Sequence, residues 1–302
     1  MANIPFNKDL TFEYGVVDQV SPMIRRVIAR NPSAFTLHGT GTYIVGTGQV
    51  AVIDPGPDDP EHIQAILDAV KGETVSHIII THTHRDHSPG AAPLKAETGA
   101  HVWGCGPHGH GRISKATDGG TSDEGADTDY MPDTLVNDAD ILDTKGWSFQ
   151  AVHTPGHTSN HTCFHLREEN VLFSGDHVMG WSTTIVSPPD GDMYRYMQSL
   201  EKLLLRSDAH YWPTHGPRID QPKAYVGELL KHRQEREEQI AQCLRQDIGA
   251  IPDMVKAMYT DVPEHLHSAA ARSVLSHLVH MVETKRAACD GAPGADSIFR
   301  TA

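Results

Sequence analysis

Residues 78–87 read IIITHTHRDH, an apolar β-strand that runs directly into three histidines and an aspartate. Alternate residues of a strand point to the same side, so His82 and His84 can face one metal ion. The turn that follows can bring Asp86 and His87 toward a second ion. The stretch therefore predicts a metal site at the end of a buried strand.

Three later segments repeat this order of a strand followed by a metal-ligating residue. They are VHTPGHT at 152–158, LFSGD at 172–176 and YWPTHG at 211–216. In α/β sheets, ligands bind outside one end of the strands, so we expect the four loops to converge. The chain also has 21 histidines, and imidazole is the commonest metal ligand.

The composition is typical of a folded protein, with 38% hydrophobic and 21% charged residues. No run approaches the eighteen apolar residues of a membrane span, so we expect no membrane association. The first residues lack the basic and apolar regions of a secretory signal. The four cysteines form no CxxC pair, which predicts a reducing, cytoplasmic location.

The organisation of the chain changes at Pro222. Before it, short β-branched runs alternate with helical segments, which predicts a mixed α/β core. Three helical patterns follow, over residues 224–245, 254–259 and 264–286. We therefore predict a catalytic domain over 1–222 and a small helical domain over 223–302.

Negative charge is concentrated in the first of these domains. The whole chain has a formal net charge of −14, yet residues 223–302 contain 10 basic and 11 acidic residues. Within the segment 104–144, residues 116–144 have nine acids and no lysine or arginine. We predict a long acidic surface loop there, near the mouth of the site.

The pattern His82-x-His84-x-Asp86-His87 resembles the HxHxDH signature of the metallo-beta-lactamase superfamily. The contexts TPGHT, SGDH and PTHG are also similar to those of the family and occur in the same order. This resemblance implies a four-layer αββα sandwich and a metal-dependent hydrolase.

The resemblance also implies that seven residues hold two zinc ions. The first ion is held by His82, His84 and His157, the second by Asp86, His87 and His215, and Asp176 bridges both. Asp54, in the sequence IDPG, matches an early aspartate that supports the ligands from behind. Iron or manganese can also occupy such nitrogen and carboxylate sites.

The chemistry expected from this ligand set is hydrolysis. Two adjacent cations lower the pKa of a bridging water, which supplies hydroxide at neutral pH, and they polarise the substrate oxygen. By the same resemblance, Asp86 is the catalytic carboxylate that orients this hydroxide or carries its proton. No serine or cysteine nucleophile is required.

The end of the chain looks like the winged-helix domain of the beta-lactamase-like protein 2 subfamily. This resemblance depends on KHRQEREEQI at 231–240 and AAARSVLSHL at 269–278. Arg233 and Glu237 are spaced i, i+4, which predicts a salt-bridged surface on the helix. The domain could serve to form a homodimer.

Three functions remain open at this level. The enzyme can hydrolyse a small ester, thioester or lactone, or it can cleave single-stranded RNA, as the subfamily resemblance implies. A third interpretation is a non-catalytic protein that binds metal and nucleic acid. Nucleic-acid binding relies on lysine and arginine to neutralise phosphates, so the acidic catalytic domain favours the small-molecule substrate.

Overall fold

The computed structural model describes residues 2–113, 125–260, 263–264 and 267–302. Within these ranges, seven strands form a first sheet in chain order and five strands form a second sheet. The first sheet contains β1 (Asp18–Gln19), β2 (Ile24–Ile28), β3 (Gly41–Thr47), β4 (Gln49–Ile53), β5 (Thr74–Ile79), β6 (His101–Gly104) and β7 (Thr134–Leu135). The second contains β8 (Ile141–Asp143), β9 (Ser148–His153), β10 (Thr162–Leu166), β11 (Val171–Gly175) and β12 (His210–Pro213).

Alternating side chains bury both faces of the first sheet. In β3, Tyr43 and Val45 belong to the core between the two sheets, whereas Ile44 belongs to the core on the outer face. In β4, Ile53 faces inward and Val52 outward in the same way. Successive residues of a strand point to opposite faces, so this pattern requires helices outside the sheet.

Helices cover the outer faces of both sheets. Two cover the first sheet, α1 (Pro60–Ala69) and α2 (Ala91–Thr98), and two cover the second, α3 (Met193–Leu204) and α4 (Pro222–Arg245). The carboxylate of Asp59 caps α1 by accepting a hydrogen bond from the Glu61 N–H, 3.0 Å away. The predicted αββα sandwich is therefore confirmed.

The last part of the chain contains three helices and a small β-ribbon. Two helices follow α4, namely α5 (Ile251–Met258) and α6 (His267–Glu283), and β13 (Ala287–Ala288) pairs with β14 (Arg300–Thr301). Each strand of this ribbon is two residues long, which is too short to produce an alternating pattern in the sequence. No helix in the described part of the chain has the length and apolar character of a membrane span.

Helix α4 contributes to two separate hydrophobic cores. Its first half packs Val226 and Leu229 against the second sheet, and its second half packs Ile240 and Leu244 against α5 and α6. One helix therefore connects the catalytic and C-terminal parts rigidly. The predicted boundary between residues 222 and 223 stays a prediction.

The acidic segment differs from the long loop that we expected. Residues 114–124 lie outside the described residues, but from residue 125 onward the chain supplies β7 to the first sheet and β8 to the second. Ala126 also forms a bridge with His84. The prediction of one continuous surface loop over 104–144 is wrong, because this segment contributes one strand to each of the two sheets.

The predicted surface ion pair between Arg233 and Glu237 is also wrong. Both side chains are buried, at 3% and 4% exposure, and each has other partners. Arg233 donates to the Thr184 carbonyl oxygen. Glu237 lies 2.6 Å from both His280 Nδ1 and Arg286 Nη1. This side of α4 faces α3 and α6, so its charged groups pair across helices.

Removing the buried carboxylate of Glu237 tests this interhelical network. Glu237→Ala should lower the free energy of unfolding by about 3 kcal/mol, because it leaves Arg286 and His280 without their anionic partner. Glu238→Ala is the matched control, since Glu238 pairs with Arg245 on the surface and should cost less than about 1 kcal/mol. Urea unfolding followed by circular dichroism measures both; equal losses would contradict the assignment.

The stability cost of Glu237→Ala should depend on pH. Burial raises the pKa of Glu237, but hydrogen bonds from His277, His280 and Arg286 reverse this and hold it well below its ordinary value of 4.5. A depressed carboxyl pKa stabilises the fold above pH 4.5 and loses that contribution as the pH falls toward the folded-state pKa. The stability difference between wild type and Glu237→Ala should therefore shrink in acid. A difference that grows below this pH would have the wrong sign.

Candidate metal centre

Five strands bring polar residues to one edge of the sandwich. β4 and β5 are parallel neighbours in the first sheet, β11 and β12 are parallel neighbours in the second, and β9 runs in the same direction as β11. Their carboxyl ends precede the predicted site residues Asp54, His82, His84, Asp86, His87, His157, Asp176 and His215. The predicted convergence of the loops is present in the structure.

Three histidines form the first group. His84 Nδ1 lies 3.0 Å from His82 Nε2 and 3.1 Å from His157 Nε2. One potential ligand atom from each residue lies within 4.8 Å of the other two. His82 and His84 come from one loop and His157 from the other sheet, so only the folded chain creates this group.

A second group lies beside the first. Its members are Asp86, His87 and His215, whose potential ligand atoms also lie within 4.8 Å of one another. Asp176 stands between the groups, with Oδ2 3.5 Å from His87 Nε2 and 3.7 Å from His157 Nε2. Its Oδ1 lies 3.5 Å from His215 Nε2. Asp176 thus lies between the two groups of potential ligand atoms.

Hydrogen bonds at Nδ1 orient three of these imidazole rings. His87 donates to Asp54 Oδ2 over 2.9 Å, His157 to the Ile185 carbonyl over 2.6 Å and His215 to the Gly39 carbonyl over 3.1 Å. A proton fixed on Nδ1 leaves the Nε2 lone pair for a metal ion. These hydrogen bonds therefore leave Nε2 of each ring facing the other members of the cluster.

Asp54 is buried beneath the site, as expected. Its carboxylate accepts hydrogen bonds from the backbone and hydroxyl of Thr81, at 2.8 and 2.7 Å, and from the Thr214 hydroxyl at 3.0 Å. Asp54 itself has φ +48°, a left-handed conformation that few residues other than glycine adopt. This backbone turn directs the carboxylate under His87.

The electrostatics of the cluster fit a bound cation. Burial lowers the pKa of His87, but the carboxylates of Asp86, Asp176 and Asp54 raise it well above its ordinary value. His87 Nε2 and Asp176 Oδ1 are buried and have no hydrogen-bond partner within the described residues. Unpaired ligand atoms beside excess negative charge favour a positive ion, and their chemistry suits zinc, iron or manganese.

A further histidine lies under the cluster. His161 is not among the predicted site residues, but its ring is fully buried and its centroid lies 5.1 Å from that of the His82 ring. Its Nε2 accepts a hydrogen bond from the Asp176 backbone N–H over 3.2 Å, and its Nδ1 contacts the Thr154 hydroxyl. His161 therefore supports the loop that carries Asp176.

A cavity of about 500 Å³ opens above the two groups. His84, Asp86, His157 and Asp176 are among its lining residues, so a molecule in the cavity reaches the cluster directly. The Asp86 side chain is 27% exposed, whereas His87 and His215 are fully buried. Asp86 is thus accessible both to the cluster and to a bound substrate.

Helix α4, which leads into the C-terminal part, contacts this site through Arg233. Its guanidinium donates to the Thr184 carbonyl oxygen, and the next residue, Ile185, accepts the hydrogen bond from His157. The Thr184 hydroxyl in turn donates to the Asp176 carbonyl oxygen over 2.8 Å. A side chain of α4 therefore holds the segment that orients one histidine of the cluster.

Comparison with known families agrees with this geometry. A model described as "Metallo-beta-lactamase superfamily" matches residues 36–215. The chain belongs to the metallo-beta-lactamase superfamily. A second model, "Beta-lactamase associated winged helix domain", matches residues 250–295. The protein is thus a metal-dependent hydrolase of this superfamily with a C-terminal winged helix, and both resemblances noted in the sequence are confirmed.

Several relatives in this superfamily can be aligned with most of the chain. It is 34% identical over 270 residues to the "Beta-lactamase-like protein 2 homolog" of Drosophila melanogaster, covering 87% of this chain and 88% of that protein. It is 34% identical over 233 residues to "Atrochrysone carboxyl ACP thioesterase nsrC" of Aspergillus novofumigatus, covering 76% and 65%. A beta-lactamase domain protein from Burkholderia ambifaria has the same fold, with TM-score 0.79, 19% identity and coverage of 99% and 97%.

Replacing Arg233 tests its role in orienting His157. Arg233→Met should weaken Zn²⁺ binding about tenfold, because loss of an outer hydrogen bond lets the Ile185 carbonyl and the imidazole move. Arg233→Lys should retain part of the affinity. Arg236→Met is the matched control on the same helix, since Arg236 contacts Gln239 and Tyr259 away from the cluster. Competition with a chromogenic chelator measures affinity; a stability loss with unchanged zinc binding would contradict the role.

Proposed function

We propose that the protein is a dinuclear zinc hydrolase that acts on a small ester, thioester or lactone. The observation that carries this proposal is the cavity of about 500 Å³ whose floor is formed by the His/Asp cluster. Its volume is in the range of small-molecule sites. A substrate of this size can place a carbonyl group directly over the cluster.

The walls of the cavity support the same substrate class. Phe35, Met179, Ile185 and the two prolines Pro188 and Pro189 line it. Such an apolar wall suits an acyl group, since burying it releases surface water. A nucleic-acid strand would instead require a groove lined with lysine and arginine, whereas this chain has a net charge of −14.

The proposed ligand roles follow the two groups described above. His82, His84 and His157 would hold one zinc ion, Asp86, His87 and His215 the other, and Asp176 would contact both. Two bound zinc ions supply an activated water at neutral pH and polarise the substrate carbonyl. The partly exposed carboxylate of Asp86 would orient that water and transfer its proton to the leaving group.

The relative named as an ACP thioesterase adds support for thioester chemistry. That protein shares 34% identity with this chain over 233 residues. A thioester also needs little help for its leaving group, because a thiolate is a weaker base than an alkoxide. Among the described residues that line the cavity, Asp86 has the most exposed carboxylate, at 27% against 10% for Asp176 and 2% for Asp190, which fits a reaction that needs one acid-base group.

Metal analysis tests the dinuclear assignment. Protein purified without chelator and dialysed against zinc should contain about two equivalents, since seven ligands exceed the needs of one tetrahedral site. Asp176→Ala should disturb both sites, whereas His215→Ala should retain about one equivalent. His101→Ala removes an exposed histidine outside the cluster and is the control. A wild-type value near one that added zinc does not raise would contradict two sites.

An activity panel tests the substrate class. The zinc-loaded enzyme should hydrolyse at least one member of a set of small esters, thioesters and lactones, and kcat/KM should change little between 50 and 500 mM salt. Asp86→Ala should reduce kcat at least a hundredfold, in line with loss of a general acid-base group. Asp253→Ala, which removes an exposed carboxylate on α5, should leave it unchanged.

Single-stranded RNA in the same panel provides the opposing result. Cleavage of RNA with strong salt dependence, abolished by Asp86→Ala and accompanied by no turnover of any small substrate, would overturn the proposal. Salt dependence identifies this outcome because binding several phosphates releases counterions. The Asp86 variant excludes a contaminating nuclease.

A further inference from the structure

Two arginines from different parts of the chain line the cavity above the cluster. Arg85 belongs to the loop that carries the first ligands, and Arg272 belongs to α6 in the winged-helix part. Helix α6 is held beside the catalytic part by contacts with α3, including Tyr194 against His280 at 5.3 Å between ring centroids. The C-terminal part therefore contributes Arg272 to the lining of the cavity.

Neither guanidinium has a carboxylate partner within the described residues. Arg85 donates from Nε to the Ala126 carbonyl oxygen over 3.0 Å, which fixes its position without neutralising its charge. Arg272 is exposed. Nearby Arg112 is different, because Asp190 lies 2.9 Å from its Nε and neutralises it. Among the described residues, these two guanidinium groups are therefore not paired with a carboxylate, although Asp86 and Asp176 also line the cavity.

The same cavity exposes large apolar side chains. Phe35 is 63% and Ile185 47% exposed, although both are large hydrophobic residues that would normally be buried. An apolar wall together with uncompensated guanidinium groups matches a ligand that has an apolar part and a compact anionic part. Guanidinium groups bind both carboxylate and phosphate, by charge-assisted hydrogen bonds.

We infer that Arg272, together with Arg85, binds an anionic group on the substrate, so that the preferred substrate is an anionic acyl ester or thioester. This inference rests on the function proposed above. The acyl chain would contact Phe35 and Ile185, and the carboxylate or phosphate at the other end of the molecule would contact the arginines. Arg272 is then a specificity-determining residue supplied by the winged-helix part.

The overall charge of the chain is consistent with a single anionic group. A surface with a net charge of −14 repels an extended polyanion along its whole length. A small molecule with one anionic group meets the two arginines inside the cavity and is screened from the rest of the surface. Two arginines inside the cavity of an acidic protein therefore favour a small substrate with one anionic group over an extended polyanion.

Two pairs of thioesters test the inference with the full-length zinc enzyme. S-butanoyl 3-mercaptopropionate and S-butanoyl 3-mercaptopropionamide differ in one carboxylate, and S-butanoyl phosphopantetheine and S-butanoyl pantetheine differ in one phosphate. Wild type should prefer the charged member of at least one pair by roughly tenfold in kcat/KM, the value of one charge-assisted hydrogen bond. The pair that shows the preference identifies the anion.

Arg272→Gln should remove this preference by raising KM for the charged member while leaving the neutral member and kcat nearly unchanged. Arg272→Lys should retain part of it. Arg245→Gln is the matched control, because Arg245 is an exposed arginine paired with Glu238 outside the cavity. Calorimetry with the thioether analogue of the charged substrate, which cannot be hydrolysed, should show the same roughly tenfold loss of affinity in Arg272→Gln.

Other outcomes separate the failure of this inference from the failure of the proposed function. Equal turnover of both members of each pair, unaffected by Arg272→Gln, would overturn the anionic subsite and leave the thioesterase function intact. Equal losses on charged and neutral substrates would show that Arg272 is structural, which also overturns the subsite. Turnover of no thioester, with cleavage of single-stranded RNA, would overturn the proposed function and the inference together.

Discussion

The buried carboxylate of Asp54 connects the parts of the molecule that form the site. It accepts hydrogen bonds from Thr81 at the end of β5, from Thr214 after β12 and from His87 in the ligand loop. These partners come from both sheets, so one side chain fixes their spacing across the sandwich. Because a buried carboxylate is stable only when its oxygens are paired, the cluster above it and the packing below it depend on each other.

The C-terminal part contributes to the site as well as to the fold. Helix α4 packs into the cores of both parts, and its Arg233 holds the Thr184–Ile185 segment whose carbonyl group orients His157. Arg272 of α6 reaches the cavity wall. The C-terminal part therefore contributes Arg233 to the support of the cluster and Arg272 to the wall of the cavity.

The net charge of the whole surface and the charges inside the cavity have different consequences for substrate binding. Over the whole surface, the net charge of −14 opposes binding of a polyanion. Inside the cavity, Arg85 and Arg272 lie among the lining residues together with Asp86 and Asp176, and the proposed metal ions would add further positive charge. This contrast favours a small substrate with one anionic group over an extended nucleic acid, and it could not be derived from the total charge alone.

The local sequence determined the strands and the candidate ligand residues that follow them, because alternation along a strand and position at its end are short-range properties. The HxHxDH loop, His157, Asp176 and His215 could therefore be predicted from residue order. Only the tertiary structure decided the partners of Arg233 and Glu237, which the i, i+4 spacing assigned to each other. It alone brought Arg272 to the cavity, because that contact joins residues far apart in the chain, whose proximity depends on how α6 packs against α3.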